Sequence, residues 1–386
     1  MDDETTGAGD GVGQQTPEID ATRAKRRLSW PARVSIAGVV LLVVVFLAGF
    51  VIRVPYTTLS PGEALSLPPL VTVQGARSFP TPRGDIRLLF VRERNHVNLW
   101  QYVQARLDAD IDLVKDAAIN PGKLTPSQLN AEGLQQMAGA KDSATAVALR
   151  AAGYRVGSAP GLTVSELFPD LPAIKALRWG DVIVEADGHP IKRATDLTAV
   201  ITKHHEGDQV TIVVLRAGKR DTVHVTVASS QGRSVIGVEV SPRFTFPFKV
   251  AVDTRDIGGP SAGLAMTLAI LDDITSGDLT GGHRVAVTGT IDAEGNVGEI
   301  GGIEQKAVAA RAAHVEMFIV PQCSPGDEPA NLASCKTDLQ RTTKRVGDKI
   351  KVVPVATFAQ ALAALRAAGG APVEKIAPTS TTIAAA

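Results

Sequence analysis

The longest apolar run of the chain lies near its N-terminus, where nineteen residues from Val34 to Ile52 carry no charge. A helix rises about 1.5 Å per residue, so this run would reach nearly 30 Å, roughly the thickness of the bilayer hydrocarbon. Five basic residues lie between positions 23 and 33, at the N-terminal side of the run. The pattern predicts a single transmembrane helix with a cytoplasmic N-terminus and with the rest of the chain outside the cytoplasm.

Two other interpretations of the apolar run stay open. A buried helix of a soluble domain normally keeps a polar face, whereas residues 41–47 are apolar on every face. A cleaved signal peptide has an apolar core of about 7 to 15 residues followed by a small-residue cleavage site. The run is longer and no clear site follows it, so a membrane anchor is favoured.

The two ends of the chain have compositions that cannot build a core. Residues 1–22 contain six acids and no basic residue, and residues 369–386 are rich in Ala, Pro and Thr. Both segments are predicted to be disordered. The first would form a cytoplasmic tail that continues through the basic flank to residue 33.

The pattern between residues 54 and 153 is mixed and predicts a membrane-proximal α/β region. Alternating and helical periodicities predict two strands, joined by a turn at 80–84, and three helices. Their predicted ranges are 70–73 and 86–91 for the strands and 98–114, 126–137 and 142–152 for the helices. No group of residues suited to catalysis stands out in this region.

Residues 154–229 read as short strands around one helix. The run from Gly180 to Ile191 is Gly-Asp-Val-Ile-Val-Glu-Ala-Asp-Gly-His-Pro-Ile, and with its surroundings it resembles the PDZ domains of bacterial proteases. The resemblance implies a groove between a strand and the helix, where an extended peptide adds a strand and its C-terminal carboxylate meets backbone N–H groups. The residues assigned to this groove are Gly161, Leu162, Thr163 and Val164. Gly161 fits a plain turn equally well.

Strands and helices alternate again through residues 231–368, which predicts an α/β or α+β domain. One predicted helix runs from Ser261 to Asp273, and another from Ile303 to His314.

Composition and charge narrow the range of partners. Acidic and basic residues number 40 each, and aromatic residues make up 4% of the chain. Neither a strongly basic surface nor a base-stacking surface is therefore expected, which argues against nucleic acid as a partner. The frequent alanine and arginine suggest a GC-rich bacterial genome.

The two cysteines, Cys323 and Cys335, lie twelve residues apart in a polar segment rich in turn residues. A redox-active pair usually has closer spacing, and a zinc site needs two more ligands. A structural disulfide in an oxidising compartment is therefore the favoured interpretation. It agrees with the predicted membrane topology.

Candidate chemistry centres on a serine and a lysine. Ser261 lies in a Gly-Pro-Ser-Ala-Gly segment, and Lys306 follows forty-five residues later in Gly-Gly-Ile-Glu-Gln-Lys. A serine hydroxyl needs a nearby base, and a lysine amine can be that base only when apolar surroundings keep it neutral. The loop residues Gly259, Pro260 and Gly263 would let a substrate backbone approach closely. Taken alone, Ser261 also fits a helix N-cap and Lys306 a solvated surface charge.

Four segments together resemble the proteolytic domain of Lon-type serine proteases, in the order and close to the spacing of that family. They are Gly259–Gly263, Val287–Ile291, Gly295–Lys306 and Phe318–Pro321. The resemblance implies a catalytic Ser261–Lys306 dyad, with Thr288 helping to hold the lysine amine. It also implies a ribosomal protein S5 domain 2-like fold and assembly into hexameric rings.

The chain departs from the family pattern at two points. Gly258 stands where the family often has an acid, and Asp256 lies two residues earlier, which leaves an acid-assisted step without a clear residue. No Gly-x-x-x-x-Gly-Lys-Ser/Thr loop occurs in the sequence, so the ATPase module of full-length Lon is missing from it.

With its membrane span and PDZ-like segment, the chain resembles the membrane-anchored, PDZ-containing Lon-like proteases of Gram-positive and actinobacterial type. The expected architecture is α+β, with a transmembrane helix, a PDZ domain and a Lon-type domain. The expected boundaries are 1–33, 34–52, 54–153, 154–229, 231–368 and 369–386. Because 231–368 is short for a Lon-type domain, strands of residues 70–91 are expected to complete it, with the PDZ domain as an insertion.

These features predict an ATP-independent serine endopeptidase of the cell membrane, which cleaves unfolded or extended envelope and membrane protein segments captured by the PDZ groove. The expected partners are protein or peptide substrates, the cytoplasmic membrane and further copies of the chain, and no cofactor or metal is expected. Two alternatives stay open. One is an inactive PDZ adaptor at the membrane, and the other is a phosphate-binding, kinase-like domain, because glycine-rich loops at helix N-termini bind phosphate.

Overall fold

A computed structural model describes residues 29–79, 84–324, 326 and 328–375. The predicted disorder of residues 1–28 and 376–386 and most of the predicted turn at 80–84 lie outside these residues. The chain divides into two compact units, Met1–Ile52 and Arg53–Ala386. In the first unit, one helix, α1 (Trp30–Val51), covers the apolar run. Within the described part of the chain it is the one helix long and apolar enough to cross a membrane.

The second unit contains the other helices. In chain order these are α2 (Leu99–Leu107), α3 (Asp116–Ile119), α4 (Pro126–Ala151), α5 (Ala194–Ile201), α6 (Gly263–Ile274), α7 (Ile303–Ala312), α8 (Pro329–Val346) and α9 (Phe358–Ala367).

The strands of the second unit fall into two sets. One set lies within residues 157–245, called the middle segment, and the other lies before and after that segment in the sequence. The first strands are β1 (Tyr56–Ser66), β2 (Val71–Gln74), β3 (Asp85–Arg94) and β4 (Asp112–Lys115). Those of the middle segment are β5 (Gly157–Leu167), β6 (Val182–Ala186), β7 (His189–Pro190), β8 (Gln209–Arg216), β9 (Lys219–Thr226), β10 (Ala228–Ser230), β11 (Arg233–Val235) and β12 (Val238–Thr245). The last are β13 (Lys249–Val252), β14 (Arg284–Val287), β15 (Thr290–Ile291), β16 (Val297–Gly298), β17 (Met317–Pro321) and β18 (Lys351–Val355).

The main sheet has the strand order β18-β17-β14-β3-β1-β4. Its neighbours from β18 to β3 are parallel, and β1 pairs antiparallel with both β3 and β4. The sheet therefore joins strands that precede the 157–245 segment to strands that follow it. β2, which precedes the 157–245 segment, likewise pairs with β13, which follows it.

Helices cover both faces of this sheet. On one face Val285, Val287 and Ile319 pack with α4, α6 and α9, and on the other face Ala286 and Phe318 pack with α7 and α8. Burial on both faces explains why the strand β17 is apolar at every position. The alternation of strands and helices together with the antiparallel sheet of the middle segment confirms the predicted α+β class.

The middle segment forms its own sheet, in the order β12-β5-β6-β8-β9, with β7 paired to β6. The helix α5 closes its core through Leu197, Val200 and Ile201. Strand β12 enters this sheet from the C-terminal side of the segment and pairs antiparallel with β5.

Two sequence predictions of secondary structure are wrong, and one helix was missed. The predicted helix 98–114 ends at Leu107, because residues 112–115 pair with β1 as a strand. The two helices predicted at 126–137 and 142–152 are one continuous helix, α4, whose C-terminal half packs on α6. The helix α8 was not predicted, and its first two turns lie in the polar segment that carries the two cysteines. In each case tertiary contacts override local propensity.

The described start of the C-terminal tail is bound to the domain. The N–H of Ala371 donates to the carbonyl of Asp278 at 2.8 Å, and Ser276 donates to the carboxylate of Glu374 at 2.9 Å. The prediction of disorder from residue 369 onward is therefore wrong for residues 369–374, although they form no helix or strand.

Candidate active site

Ser261 lies at the carboxyl end of the main sheet, immediately before α6. Its carbonyl accepts two hydrogen bonds from residues that follow β14, from the N–H of Gly289 at 2.9 Å and from Thr288 Oγ1 at 3.2 Å. A turn in which the N–H of Gly263 donates to the carbonyl of Pro260 at 3.1 Å leads into the helix. The serine is half-buried, so its hydroxyl can meet a substrate.

The predicted helix start at Ser261 is displaced by two residues, because α6 begins at Gly263 with Ala262 as its N-cap residue. The Ser261 carbonyl is bound by Gly289 and Thr288 instead of by the helix. The serine is therefore held by the end of β14, and the cap role that its sequence position also allowed is excluded.

Lys306 approaches the serine from the opposite face of the sheet. It is the fourth residue of α7, and its side chain is buried, with 1% of its surface exposed. Its Nζ lies 3.0 Å from Ser261 Oγ and 3.1 Å from Thr288 Oγ1. The amine thus lies between two neutral hydroxyl groups.

Burial lowers the pKa of Lys306 from 10.5 to about 8. The cause is desolvation, because removal from water disfavours the charged ammonium form. About half of the amine is therefore neutral at pH 8 and about a tenth at pH 7, whereas almost none of an ordinary lysine is neutral there. A neutral amine at hydrogen-bond distance can accept the proton of a serine hydroxyl, which is the requirement for a Ser-Lys pair.

Thr288 is fully buried and contacts both partners. Its hydroxyl receives a hydrogen bond from Lys306 Nζ and donates one to the Ser261 carbonyl. It therefore fixes the distance between the segment that carries the serine and the amine. This contact with the lysine is the one that the Lon-type resemblance implies for Thr288.

Two glycines around the site are required by geometry. A Cβ on Gly263 would lie 2.8 Å from Ile291 Cγ2 and 2.9 Å from the backbone nitrogen of Ile291. Gly302, the N-cap residue of α7, has a φ of 63°, in the left-handed region that glycine adopts most easily. Both allow close approach of the helices to the strands that carry the site.

The loop before the serine contacts a residue that the sequence analysis missed. The N–H of Gly259 donates to the carbonyl of Gly133, in α4, at 2.8 Å. Gly258 lies against the same glycine, since a Cβ on Gly258 would be 3.1 Å from the carbonyl carbon of Gly133. The available signal was a glycine within a helix, which costs stability and so often marks close backbone packing.

The four residues assigned to the peptide groove lie on β5, and the structure contradicts that assignment. Leu162 and Thr163 pair with β12 on one side and with β6 on the other. An added peptide strand needs a free backbone edge, and β5 has none at these positions. Among the described strands of this sheet, the two end strands, β12 and β9, each pair on one side only, and α5 packs beside β12.

Position 161 requires glycine because of packing between strands and not because of peptide binding. It has a φ of 84°, and a Cβ there would lie 2.9 Å from the carbonyl oxygen of Ile183. It permits close packing of β5 on β6. Leu162 and Val164 are buried in the core of this sheet, and Thr163 is half-buried.

Cys323 and Cys335 form a disulfide with a Cα–Cα distance of 5.8 Å. It joins the segment after β17 to the second turn of α8. The residues that the structure describes include no group of three or more His, Cys, Asp or Glu side chains that could hold a metal ion.

Comparison with known proteins identifies two domains. Residues 135–227 match the PDZ domain family, and residues 252–366 match the Lon protease (S16) C-terminal proteolytic domain family. The chain therefore combines a PDZ domain with a Lon-type proteolytic domain, which confirms the resemblance seen in the sequence. The PDZ match begins inside α4, before the first strand of the PDZ sheet.

Curated relatives agree with this division. Lon protease of Neorickettsia sennetsu is 32% identical over 104 residues, which cover 27% of this chain and 11% of the relative. Lon protease of Trichlorobacter lovleyi is 35% identical over 97 residues, which cover 25% of this chain and 10% of the relative. The chain thus spans about a tenth of the length of these relatives.

Two further similarities concern other proteins. A probable periplasmic serine endoprotease DegP-like of Pseudomonas savastanoi is 39% identical over 70 residues, or 18% of this chain and 15% of the relative. The PDZ domain of an SdrC-like protein from Listeria monocytogenes is 26% identical and covers 22% of this chain and 90% of that structure, with a TM-score of 0.21. A TM-score this low carries no structural argument.

Proposed function

We propose that this protein is an ATP-independent serine endopeptidase in which Ser261 is the nucleophile and Lys306 its base. The observation that carries the proposal is the buried Lys306 amine, 3.0 Å from the Ser261 hydroxyl, with a pKa lowered to about 8. A surface lysine would stay charged and could not accept a proton. The match to the Lon-type proteolytic domain supports the same chemistry.

The reaction follows from these two groups. Ser261 Oγ attacks the scissile carbonyl carbon while Lys306 Nζ takes the hydroxyl proton. The carbon–nitrogen bond then breaks, and Nζ returns that proton to the leaving amine, which leaves an ester between Ser261 and the acyl half of the substrate. Water attacks this ester while Nζ takes a proton from it, the bond between the carbonyl carbon and Ser261 Oγ breaks, and Nζ gives the proton to Oγ. The acyl half leaves as a carboxylic acid, which ionises, and the serine hydroxyl is restored. Thr288 holds the amine on the line of this transfer.

The PDZ domain supplies the peptide-binding surface in this proposal. The edge strand β12 and the neighbouring helix α5 form the groove, in place of the β5 residues that the sequence analysis assigned. An extended segment adds to β12 through main-chain hydrogen bonds, so binding depends little on its sequence. The substrates are therefore unfolded or extended protein segments.

The working location is the outer face of the cytoplasmic membrane. The apolar helix α1, the basic residues before it and the disulfide between Cys323 and Cys335 support this placement. ATP is not expected there, in agreement with the absence of a P-loop motif from the sequence.

Assembly into a hexamer is part of the proposal on the ground of family resemblance alone. The proposed PDZ domain extends beyond the predicted limits 154–229 to include β12 (Val238–Thr245), and the proposed proteolytic domain joins strands of the predicted regions 54–153 and 231–368.

The test uses the compact unit that begins at Arg53, incubated with an unfolded protein such as casein. The unmodified unit and a Lys349→Ala control, which alters an exposed lysine, are expected to cleave at equal rates. Ser261→Ala and Lys306→Ala are expected to be inactive. Equal cleavage by all four proteins would reject the dyad, and binding without cleavage by the unmodified unit would favour a PDZ adaptor.

A further inference from the structure

The helix α4 contacts the loop that carries the proposed nucleophile. The Gly133 carbonyl accepts the N–H of Gly259, two residues before Ser261, at 2.8 Å. A backbone carbonyl has two lone pairs, so Gly133 can bind Gly259 without leaving the hydrogen-bond pattern of its helix. The contact is made by backbone on both sides, through Gly133 of the helix and the Gly258–Gly259 pair of the loop.

The same half of α4 lies against the PDZ sheet. The Gln135 side-chain oxygen lies 3.0 Å from the position that a Cβ of Gly180 would take, at the entry to β6. A Cβ on Gly139 would lie 3.3 Å from Ser241 Oγ, on β12. Within about two helical turns, α4 therefore contacts both the PDZ sheet and the loop before Ser261.

The other half of α4 is fixed in the core of the proteolytic domain. Ala144, Val147 and Ala148 are buried and pack in the same cluster as the residues of α6. Because α6 begins two residues after Ser261, the serine lies between two segments that both contact α4. A rigid helix anchored in this way can hold the loop at a fixed place.

We propose that α4 positions Ser261 through the Gly133 carbonyl and makes the placement of the serine depend on the PDZ domain. The Ser261 carbonyl is held on its C-terminal side by Gly289 and Thr288. On its N-terminal side the loop is held by the bond from Gly259 to Gly133. Gly133 touches no reacting atom, so it is a positioning residue. The inference rests on the proposed peptidase function.

Two glycine variants of the full chain, purified in detergent, test this contact from its two sides. Gly258→Ala would bring a methyl group 3.1 to 3.2 Å from the backbone of Gly133, closer than the helix can accept without moving. Gly133→Ala would bring a methyl group no closer than 3.6 Å to the loop, which is an ordinary contact distance. Neither glycine has a positive φ, so backbone strain does not confuse the comparison.

The two variants are expected to lower kcat to different extents. Gly258→Ala lowers kcat for a short unstructured peptide by about threefold to tenfold, because relief of the contact needs a shift of a few tenths of an ångström, and a misplacement of about 1 Å at a reacting group costs about a hundredfold. Its KM changes by less than about twofold, since binding does not use the displaced bond. Gly133→Ala has a much smaller effect on kcat. A general loss of structure would instead lower the amount of active protein and the melting temperature.

Hydrogen exchange of the 254–262 segment gives a readout that does not need activity. The Gly259 amide is expected to exchange slowly in the unmodified chain and in Gly133→Ala, and faster in Gly258→Ala. Unchanged exchange and unchanged kcat in Gly258→Ala would overturn the inference, and so would an increase in kcat. If the unmodified chain cleaves nothing, the proposed peptidase function fails, while the exchange data still decide whether α4 holds the loop.

Discussion

The proposed proteolytic site depends on particular side chains, whereas the proposed PDZ groove depends on the backbone of a strand edge. At the proposed proteolytic site the Lys306 amine lies within 3.1 Å of the hydroxyls of Ser261 and Thr288, and the identity of each side chain decides what the site can do. At the proposed PDZ groove the binding group is a strand edge, whose C=O groups every residue carries and whose N–H groups every residue except proline carries. Side-chain chemistry can be recognised in a sequence, whereas a free edge depends on which strand lies at the end of the sheet.

The largest expected effect concerns the charge state at the proteolytic site. Lys306→Arg keeps a long cationic side chain but replaces the amine by a guanidinium that stays charged at all working pH values. We expect activity on an unfolded protein to fall by at least about a thousandfold, as with other catalytic bases. Lys349→Arg is the matched control on an exposed lysine. Retained activity in Lys306→Arg would show that the amine is not the base.

The pH profile measures the same group without a substitution. The Lys306 pKa is lowered to about 8, and the active form is the neutral amine. Activity should therefore rise about tenfold per pH unit below this value and level off above it. The measurement is kcat/KM from pH 6 to 9.5 at constant ionic strength. A profile that is flat below pH 8 would contradict the role of Lys306 as base.

A test of the PDZ groove contrasts β12 with β5. Addition of an extended peptide with a free C-terminus should slow hydrogen exchange in residues 236–242, because its backbone pairs with the free edge of β12. Residues 161–165 should change little, since β5 already pairs on both sides there. Ser261→Ala can serve as the protein in this experiment, so that the peptide stays intact. Protection confined to 161–165 would restore the groove predicted from the sequence.

The smallest expected effect is on stability, at the contact between α4 and the PDZ sheet. Burial and the nearby Glu239 raise the pKa of Glu166, and burial and Glu166 raise the pKa of Glu132. A carboxyl whose folded pKa is raised destabilises the fold once pH exceeds its ordinary value of 4.5, because ionisation is easier in the unfolded chain.

Glu166→Gln removes this destabilising charge. We expect a gain in unfolding free energy of less than about 1 kcal/mol at pH 7, since both carboxyls are partly exposed. No gain is expected at pH 4 or below, where the glutamate is already protonated. Urea unfolding at the two pH values measures the difference. An equal gain at both would mean that packing, and not charge, causes it.

Much of the domain plan could be read from local signals. The apolar run, the Gly-Asp-Val-Ile run and the four Lon-type segments each lie within a short stretch of chain, and family comparison confirms the PDZ and Lon-type domains. Secondary structure was predicted less well where a segment has no strong period of its own. Residues 112–115 became a strand because β1 lies beside them, and no signal within the four residues indicates that partner.

The candidate site also combines features that the sequence indicates with features that only the structure shows. The sequence pointed to Ser261, Thr288 and Lys306 as residue types in a known order, and their catalytic roles stay predictions. It could not supply the burial of Lys306, because α7 packs on β1 and β3, which lie more than 200 residues earlier in the chain. The contact between Gly133 and the loop before Ser261 was missed for the same reason, since a glycine within a helix does not indicate which segment packs against it.

By itself, the sequence determined which groups can do chemistry, since a serine, a threonine and a lysine carry their functional groups wherever they lie. It also determined that one helix is apolar enough to cross a membrane, because hydropathy is a property of the residues alone. Only the tertiary structure decided that the amine is buried beside the hydroxyl, that β12 and not β5 has a free edge, and that α4 contacts both the PDZ sheet and the loop before Ser261. These features arise from packing between distant segments, and packing is what sets desolvation, strand order and contact.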